Sequence, residues 1–209
     1  MIWLYDRKLV DKKSPGREVY DAVKLSARDG MCALCGAQAV SSLDHYLPKT
    51  KFPALAVTPA NLLPVCSRCN HMKGSKFTGS IEELALNPYF DDFGDDVWLT
   101  ARVEHKSPGV AVFVPDPPSH WDPAYTSRIV KHFESLNLQE IYGSCASQEI
   151  QGIQYGMKML FEAAGEAAVR EELTRRSATW HNFDANSWQA ALFTALSADD
   201  WYCCGGFIR

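Results

Sequence analysis

Two Cys-x2-Cys pairs constrain this chain more than any other feature of its sequence. Cys32 and Cys35 form the first pair, Cys66 and Cys69 form the second, and 30 residues lie between the two pairs. Each such turn can point two sulfurs at one ion, and four thiolates match the tetrahedral site that zinc prefers. We therefore predict a structural zinc that closes the segment between the pairs into a small domain.

Two other uses of these cysteines stay open from the sequence alone. A redox-active Cys-x2-Cys would not need a second pair, whereas an iron–sulfur cluster takes the same four ligands. Zinc is favoured because two such pairs in a reducing compartment are typical of metal binding. Since a four-thiolate site leaves no open coordination position, the zinc is expected to be a scaffold rather than a catalyst.

Length and composition exclude several classes of protein. The chain has 209 residues, of which 46% are hydrophobic and 22% are charged, so it can bury a core of its own. It contains no run of ~20 apolar residues of the kind that spans a membrane. Its first charged residues follow a very short apolar run, which is the reverse of a secretory signal. We therefore expect a cytoplasmic protein that does not associate with membranes.

Charge is distributed unevenly along a chain whose formal net charge is -4. Residues 41–80 carry five basic side chains against one acid, whereas residues 81–104 carry seven acids and one arginine. The basic segment surrounds the cysteine pairs, which favours local contacts with phosphates over coating of nucleic acid by bulk charge. The acidic run 91–96 lacks the spacing of a calcium-binding loop, and we expect it to be a solvated turn.

Hydrophobic periodicity predicts an α+β fold with a mainly helical C-terminal half. Around the cysteine pairs, the order strand, loop, strand, helix is predicted from a strand at 37–44, a loop and strand at 54–64, and a helix at 67–75. A short hairpin is predicted from strands at 97–104 and 110–114. Scattered histidines such as His132 show no ligand spacing and are expected to be structural.

The same patterns divide the chain into four predicted regions. These are a helical lead-in at 1–29, a zinc-containing core at 30–77, a linker and hairpin region at 78–123, and a helical region at 124–209 that packs on the core. The linker region begins with a capping-box pattern at 80–83, which predicts a short helix there.

Three polar motifs stand between and after the cysteine pairs. The first is Asp44-His45, the second is Asn61, and the third is Asn70 with Lys73 one helical turn later. These segments resemble the HNH endonuclease family, whose motif is an Asp-His pair, a central Asn, and a terminal His or Asn after the second cysteine pair. The resemblance implies a zinc-stapled ββα-metal nuclease core.

A looser resemblance concerns the rest of the chain. The segment 87–91, with the sequence Asn-Pro-Tyr-Phe-Asp, and the helical C-terminal half are similar to small stand-alone prokaryotic HNH proteins. Many of those proteins are associated with antiphage defence, so this resemblance implies a defence effector and allows an ATPase or sensor protein as a partner.

The residue chemistry points to the same activity. Cleavage of a phosphodiester requires a base for the attacking water and a cation for the charge that develops on phosphate. His45 is the candidate base, because an unperturbed pKa of ~6.5 suits proton abstraction near neutral pH. Asp44 and Asn70 are oxygen donors suited to a catalytic Mg²⁺ or Mn²⁺, with room left for water and phosphate oxygens.

The family resemblance implies further roles. Asn61 is expected from the motif match to fix the loop between the strands and so to orient His45. Lys73 lies one turn after Asn70 on the same helix face, and this position predicts that it contacts the scissile phosphate or stabilises charge there. At the terminal position we favour Asn70 over His71 as the metal ligand, since a helix places His71 about 100° away from it. The residues expected to bind nucleic acid are Lys49, Lys51, Arg68, His71 and Lys76.

The sequence therefore predicts a metal-dependent HNH endonuclease that hydrolyses DNA. Two alternatives stay open. One is a zinc-dependent nucleic-acid-binding module without catalysis, although intact Asp44, His45 and Asn70 speak against it. The other is a nuclease subunit that is silent until an ATPase or sensor partner engages it. The net acidity suits the second alternative, because an acidic protein releases few counterions and binds DNA weakly on its own.

Overall fold

The computed structural model describes residues 1–75, 77, 79–80 and 84–208. Lys76 and most of the predicted capping box at 80–83 lie outside the described residues. In chain order the helices and strands are α1 (Ile2–Leu4), α2 (Arg17–Leu25), β1 (Ser42–His45), β2 (Leu62–Val65), α3 (Ser67–Lys73), β3 (Leu99–Glu104), β4 (Val110–Pro115), α4 (Pro123–Ser135), α5 (Leu138–Phe183), α6 (Trp188–Ala198) and α7 (Asp200–Cys203). The α+β class is confirmed.

The described chain divides into two compact units. The first contains residues 1–92 and 123–136, and the second contains residues 93–122 and 137–209. The helix α4 thus belongs to the first unit, although the sequence pattern grouped it with the C-terminal helices. None of the helices within the described residues is long and apolar enough to cross a membrane.

The first unit contains the predicted order strand, loop, strand, helix. β1 and β2 pair antiparallel, with Ser42 opposite Val65 and His45 opposite Leu62, and α3 follows directly. β1 is shorter than predicted, because Ala39 forms an isolated bridge with Met31 and so belongs to the turn of the first cysteine pair.

A small hydrophobic cluster supports the inner face of this β-hairpin. Its aromatic members are contributed by the N-terminal segment and by α2, and its aliphatic members come from β1, β2 and the loop between them. The buried residues of the cluster are Tyr5, Tyr20, Leu43, Ala56 and Leu62. The hydroxyl of Tyr20 also accepts a hydrogen bond from Leu43 N at 3.2 Å, so the cluster fixes α2 against β1.

The acidic run at 91–96 is not a solvated turn throughout, which corrects the expectation from sequence. Asp91 forms a bidentate pair with Arg128 of α4, at 2.8 and 2.5 Å, and both side chains are largely buried. Arg128 also donates to the hydroxyl of Tyr46 at 3.4 Å. The pair links Asp91 to α4 within the first unit, and loss of either partner would leave a buried charge uncompensated.

His132 of α4 is buried, and both of its ring nitrogens have partners. Nε2 lies 2.8 Å from the carbonyl of Leu34, a residue that stands between Cys32 and Cys35 in the chain. Nδ1 accepts from Leu86 N at 3.3 Å. Burial lowers the pKa of His132 to about 4, so the ring is neutral near pH 7. The structural role predicted for His132 is therefore to hold the turn of the first cysteine pair, through its contact with the carbonyl of Leu34.

We expect His132→Leu to lower the free energy of unfolding of the first unit by about 2–5 kcal/mol, because it leaves a buried carbonyl and a buried N–H unpaired. Denaturant unfolding of the variant measures this loss. The control is His120→Leu, at a side chain that is 67% exposed and outside the first unit. Equal losses in the two variants would contradict this role of His132.

In the second unit, the predicted hairpin is confirmed. β3 and β4 pair antiparallel from Leu99 opposite Pro115 to Glu104 opposite Val110. The long helix α5 is interrupted at Gly165, whose φ of 77° and ψ of -169° are not helical. Glu149 and Arg176 form an ion pair at 3.9 Å, whereas 27 residues of straight helix would separate them by about 40 Å. The two segments of α5 therefore fold back along each other.

Candidate functional site

The four cysteines of the two pairs meet in one buried cluster. Cys32 and Cys35 lie in the turn before β1, Cys66 is the N-cap of α3, and Cys69 lies in its first turn. Their sulfurs all lie within 4.8 Å of one another. Four thiol sulfurs at this separation are close enough to hold one metal ion.

Backbone pairing explains why the two cysteine turns converge. Ala33 N donates to Pro64 O at 2.9 Å, and Ser41 N donates to Val65 O at 2.9 Å, so the first turn is fixed to β2. The second pair begins at the residue after Val65. The hairpin therefore brings together two cysteine turns that are 30 residues apart in sequence.

The chemistry of the cluster fits a cation. The hydrogen bond with Cys32 and burial raise the pKa of the Cys35 thiol to about 12. Several buried negative charges are unfavourable without a positive ion to compensate them, and metal binding requires that thiols lose their protons. Sulfur ligands in this number match zinc.

A second group of polar side chains lies where β1 meets α3. Ser42 and Asp44 alternate along β1 and share one face, while Asn70 and Lys73 share one face of α3. Asn70 Nδ2 donates to Ser42 Oγ at 3.0 Å, and Lys73 Nζ lies 2.9 Å from Asp44 Oδ2. Lys73 Nζ also donates to the carbonyl of His45 at 2.6 Å. The structure thus brings together Asp44, Asn70 and Lys73.

The oxygens of this group suit a hard divalent ion. The Asp44 side chain is 12% exposed, so its carboxylate is largely shielded from solvent. Because the Asn70 amide uses its nitrogen on Ser42, its Oδ1 is the atom left to accept or to coordinate. Carboxylate and amide oxygens are ligands that Mg²⁺ and Mn²⁺ accept.

The imidazole of His45 lies on the other face of β1 from Asp44, because consecutive residues of a strand alternate. It is 7% exposed, its ring packs edge-on against Tyr5 at 4.3 Å, and Nε2 lies 2.9 Å from the carbonyl of Ala56. A carbonyl can only accept, so Nε2 carries the proton and Nδ1 keeps the lone pair. Burial lowers the pKa of His45, which keeps the ring neutral near pH 7.

Asn61 occupies a buried position between the two strands. Its Oδ1 accepts from Leu47 N at 2.8 Å, and its Nδ2 donates to the carbonyls of Leu47 at 3.1 Å and Leu55 at 3.2 Å. Its own carbonyl accepts from Tyr46 N at 2.9 Å. Asn61 therefore fixes the turn that follows His45.

Two of the lysines predicted to contact phosphates have protein partners. Lys49 Nζ pairs with Asp6 at 2.6 Å and lies 4.7 Å from the centre of the Tyr5 ring. Lys51 Nζ donates to the carbonyl of Phe77 at 2.9 Å. That Lys49 and Lys51 contact nucleic acid stays a prediction.

The other predicted contacts lie on or beyond α3. Arg68 is half-buried and His71 is exposed. His71 does not join Asn70 and Lys73 on the face that meets β1, which is the geometry expected from helix spacing. Lys76 lies outside the described residues.

Sequence reasoning missed two participants. Ser42 orients the Asn70 amide, and its position two residues before Asp44 on a predicted strand is a signal that could have identified it. Tyr5 packs against His45 from 40 residues upstream, and no local pattern indicates such a contact.

Two known proteins are similar to parts of this chain. A segment of 143 residues, 66% of this chain, is 33% identical to protein ea31 of Escherichia phage lambda and covers 48% of that protein. A segment of 60 residues, 29% of this chain, is 40% identical to Septu protein PtuB of Bacillus thuringiensis and covers 23% of it. The similarity thus spans about half of one relative and about a quarter of the other. No family model and no solved structure matches the chain.

Proposed function

We propose that this protein is a metal-dependent HNH endonuclease that hydrolyses DNA, with a zinc-stapled ββα-metal core at residues 30–77. The observation that carries the proposal is the convergence of Asp44, Asn70 and Lys73 at one junction, while the neutral imidazole of the adjacent His45 lies on the opposite face of the same strand. A metal ion bound by the neighbouring cysteine cluster would provide a rigid scaffold for this junction. Together these residues supply a base, two oxygen ligands and a cation.

In this proposal, His45 is the general base. Its Nδ1 takes a proton from the attacking water as the new oxygen–phosphorus bond forms, and Ala56 holds the Nε2 proton so that the tautomer does not change. Asn61 fixes the turn after His45 and so limits movement of the ring. The bond from phosphorus to the 3′ oxygen breaks and that oxygen takes a proton from solvent water, which leaves 5′-phosphate and 3′-hydroxyl ends.

Asp44 and Asn70 are the residues that would hold Mg²⁺ or Mn²⁺. When bound, such an ion supplies Lewis-acid stabilisation of the charge on the phosphate and on the leaving 3′ oxygen. Ser42 orients the Asn70 amide, and Lys73 holds the Asp44 carboxylate. Lys73 also places a positive charge where the scissile phosphate would approach.

We also propose a role in antiphage defence, in which an ATPase or sensor protein activates the nuclease. The partial similarity to Septu protein PtuB supports this proposal, and the formal net charge of -4 agrees with weak DNA binding by the chain alone.

We expect Asn70→Ala to raise the Mg²⁺ or Mn²⁺ concentration needed for half-maximal DNA cleavage, because it removes one of two protein ligands. His71→Ala is the matched control, since the neighbouring side chain is exposed and lies off the face that meets β1. The measurement is cleavage rate against metal concentration for both variants. A shift in His71→Ala without one in Asn70→Ala would reverse the ligand assignment.

A further inference from the structure

The N-terminal segment presents an exposed face that the proposed catalytic residues do not use. Ile2, Tyr5 and Leu9 turn inward and join the hydrophobic cluster behind β1. The opposite side of the segment carries Trp3, which is 61% exposed, and Arg7. We call the exposed side chains of this surface the N-terminal basic face; they are Trp3, Arg7, Lys8, Lys12 and Lys13.

The charge of the N-terminal basic face is only partly neutralised within the protein, since Lys12 contributes, after Arg17, to lowering the pKa of Asp21. Asp6 pairs with Lys49 outside the face at 2.6 Å, whereas Asp11 accepts from the backbone N–H of Lys13 at 3.0 Å and so leaves one negative charge beside Lys12 and Lys13. Over the residues that the structure describes, no carboxylate pairs with the four cationic side chains of the face. Four cations therefore face solvent on a chain whose formal net charge is -4.

Local packing makes this face a fixed surface. Gly16 lies so close to Lys8 O that a Cβ at position 16 would overlap it, and Arg17 Nη1 donates to Val10 O at 2.8 Å. The turn between these residues therefore folds back on the N-terminal segment. This turn carries Lys12 and Lys13, so it adds their charges to those of Arg7 and Lys8.

The N-terminal basic face begins next to the proposed catalytic site. Tyr5 packs on the His45 ring at 4.3 Å, and Asp6 pairs with Lys49 in the turn after β1. Trp3 precedes Tyr5 by two residues, which is about 3 Å along a helix axis. A strand bound near His45 would thus need only a few nucleotides to reach Trp3.

An exposed tryptophan beside cations is suited to single-stranded nucleic acid. Lys8 Nζ lies over one face of the Trp3 ring, 5.7 Å from its centre, so a positive charge stands directly beside a flat aromatic side chain. Aromatic rings stack on unpaired bases, while neighbouring cations bind the backbone phosphates. In a duplex the bases are already stacked on each other and cannot use such a platform.

We propose that the N-terminal basic face binds a single-stranded segment of the substrate, with an unpaired base on Trp3 and phosphates on Arg7, Lys8, Lys12 and Lys13. This inference rests on the proposed nuclease function, and it specifies the substrate as DNA with an unpaired stretch beside the cleaved bond.

The test is binding of a fluorescein-labelled single-stranded oligonucleotide and of a duplex of the same sequence, measured by anisotropy at low salt without added divalent ions. Trp3→Ala should weaken single-strand binding roughly 5- to 150-fold and leave duplex binding nearly unchanged. The combined change Arg7→Ala, Lys8→Ala, Lys12→Ala and Lys13→Ala should make the salt dependence of log K shallower by about 0.7 for each phosphate that the protein no longer neutralises.

A control variant with the same change in net charge carries Arg102→Ala, Lys106→Ala, Lys131→Ala and Lys158→Ala, at four exposed residues outside the N-terminal segment. It should bind like the wild type. Affinity that falls equally in both quadruple variants, or is unchanged by Trp3→Ala, would overturn the proposal and leave the face to a protein partner. The two proposals can fail separately. Single-strand binding that depends on Trp3, without any DNA cleavage, would refute only the proposed nuclease activity. DNA cleavage that these variants do not affect would refute only the proposed binding to the N-terminal basic face.

Discussion

Removal of zinc should unfold the first unit and leave the helices of the second unit largely intact. Apparent binding free energies for structural zinc of ~10–16 kcal/mol reach or exceed the total stability of a typical domain. The hairpin and α3 that carry the cysteines have a small core of their own, whereas α5 and α6 belong to the other unit. We therefore expect chelation to remove part of the helical circular dichroism and to expose residues 30–75 to protease.

Cys69→Ala should reproduce the effect of chelation, because it removes one of the four clustered sulfurs. Cys145→Ala is the matched control, since this half-buried thiol lies outside the cluster. Elemental analysis gives the zinc content of each protein. Carefully prepared wild type with less than about half an equivalent of zinc, and with an intact first unit, would contradict the zinc assignment.

His45→Ala should lower DNA cleavage by ~10²-fold or more, because a general base contributes that much to such reactions. The structure adds a second consequence. Loss of the imidazole leaves the buried carbonyl of Ala56 without its donor, at a cost of about 1–3 kcal/mol in the free energy of unfolding. Zinc content should stay unchanged, since His45 does not belong to the cysteine cluster.

A second substitution separates catalysis from stability. His45→Gln keeps an N–H donor for Ala56 but has no basic nitrogen, so it should be nearly as inactive as His45→Ala and more stable. Tyr5→Phe is the control for the surroundings of His45, because it keeps the ring and removes only a 3.4 Å hydrogen bond to Leu43 O. Cleavage by His45→Gln at the wild-type rate would place the base elsewhere.

Local patterns in the sequence predicted the parts of the site that depend on short-range spacing. The Cys-x2-Cys turns predicted the cysteine cluster, and the spacing of Asn70 and Lys73 predicted their common helix face. Alternation along a strand also separates Asp44 from the buried His45. These features follow from helix and strand periodicity, which is readable from one sequence.

Contacts between distant segments could not be predicted in this way. Asp91 was expected in solvent, yet it pairs with Arg128, which is 37 residues later. His132 was expected to be structural, but only the fold shows that it holds the turn at Leu34. Hydrophobic pattern cannot show which element a buried polar side chain will meet, because that depends on tertiary packing.

The most direct test of the proposed nuclease activity is to incubate the zinc-replete protein with supercoiled plasmid DNA and Mg²⁺ or Mn²⁺. The protein is tested alone and together with the purified products of neighbouring genes. We expect nicked or linear DNA in at least one of these mixtures, only when the divalent ion is present, and little or none when the Asp44→Asn variant replaces the wild type. Plasmid that stays supercoiled in every mixture, or that is cut equally well by Asp44→Asn, would contradict the proposed activity.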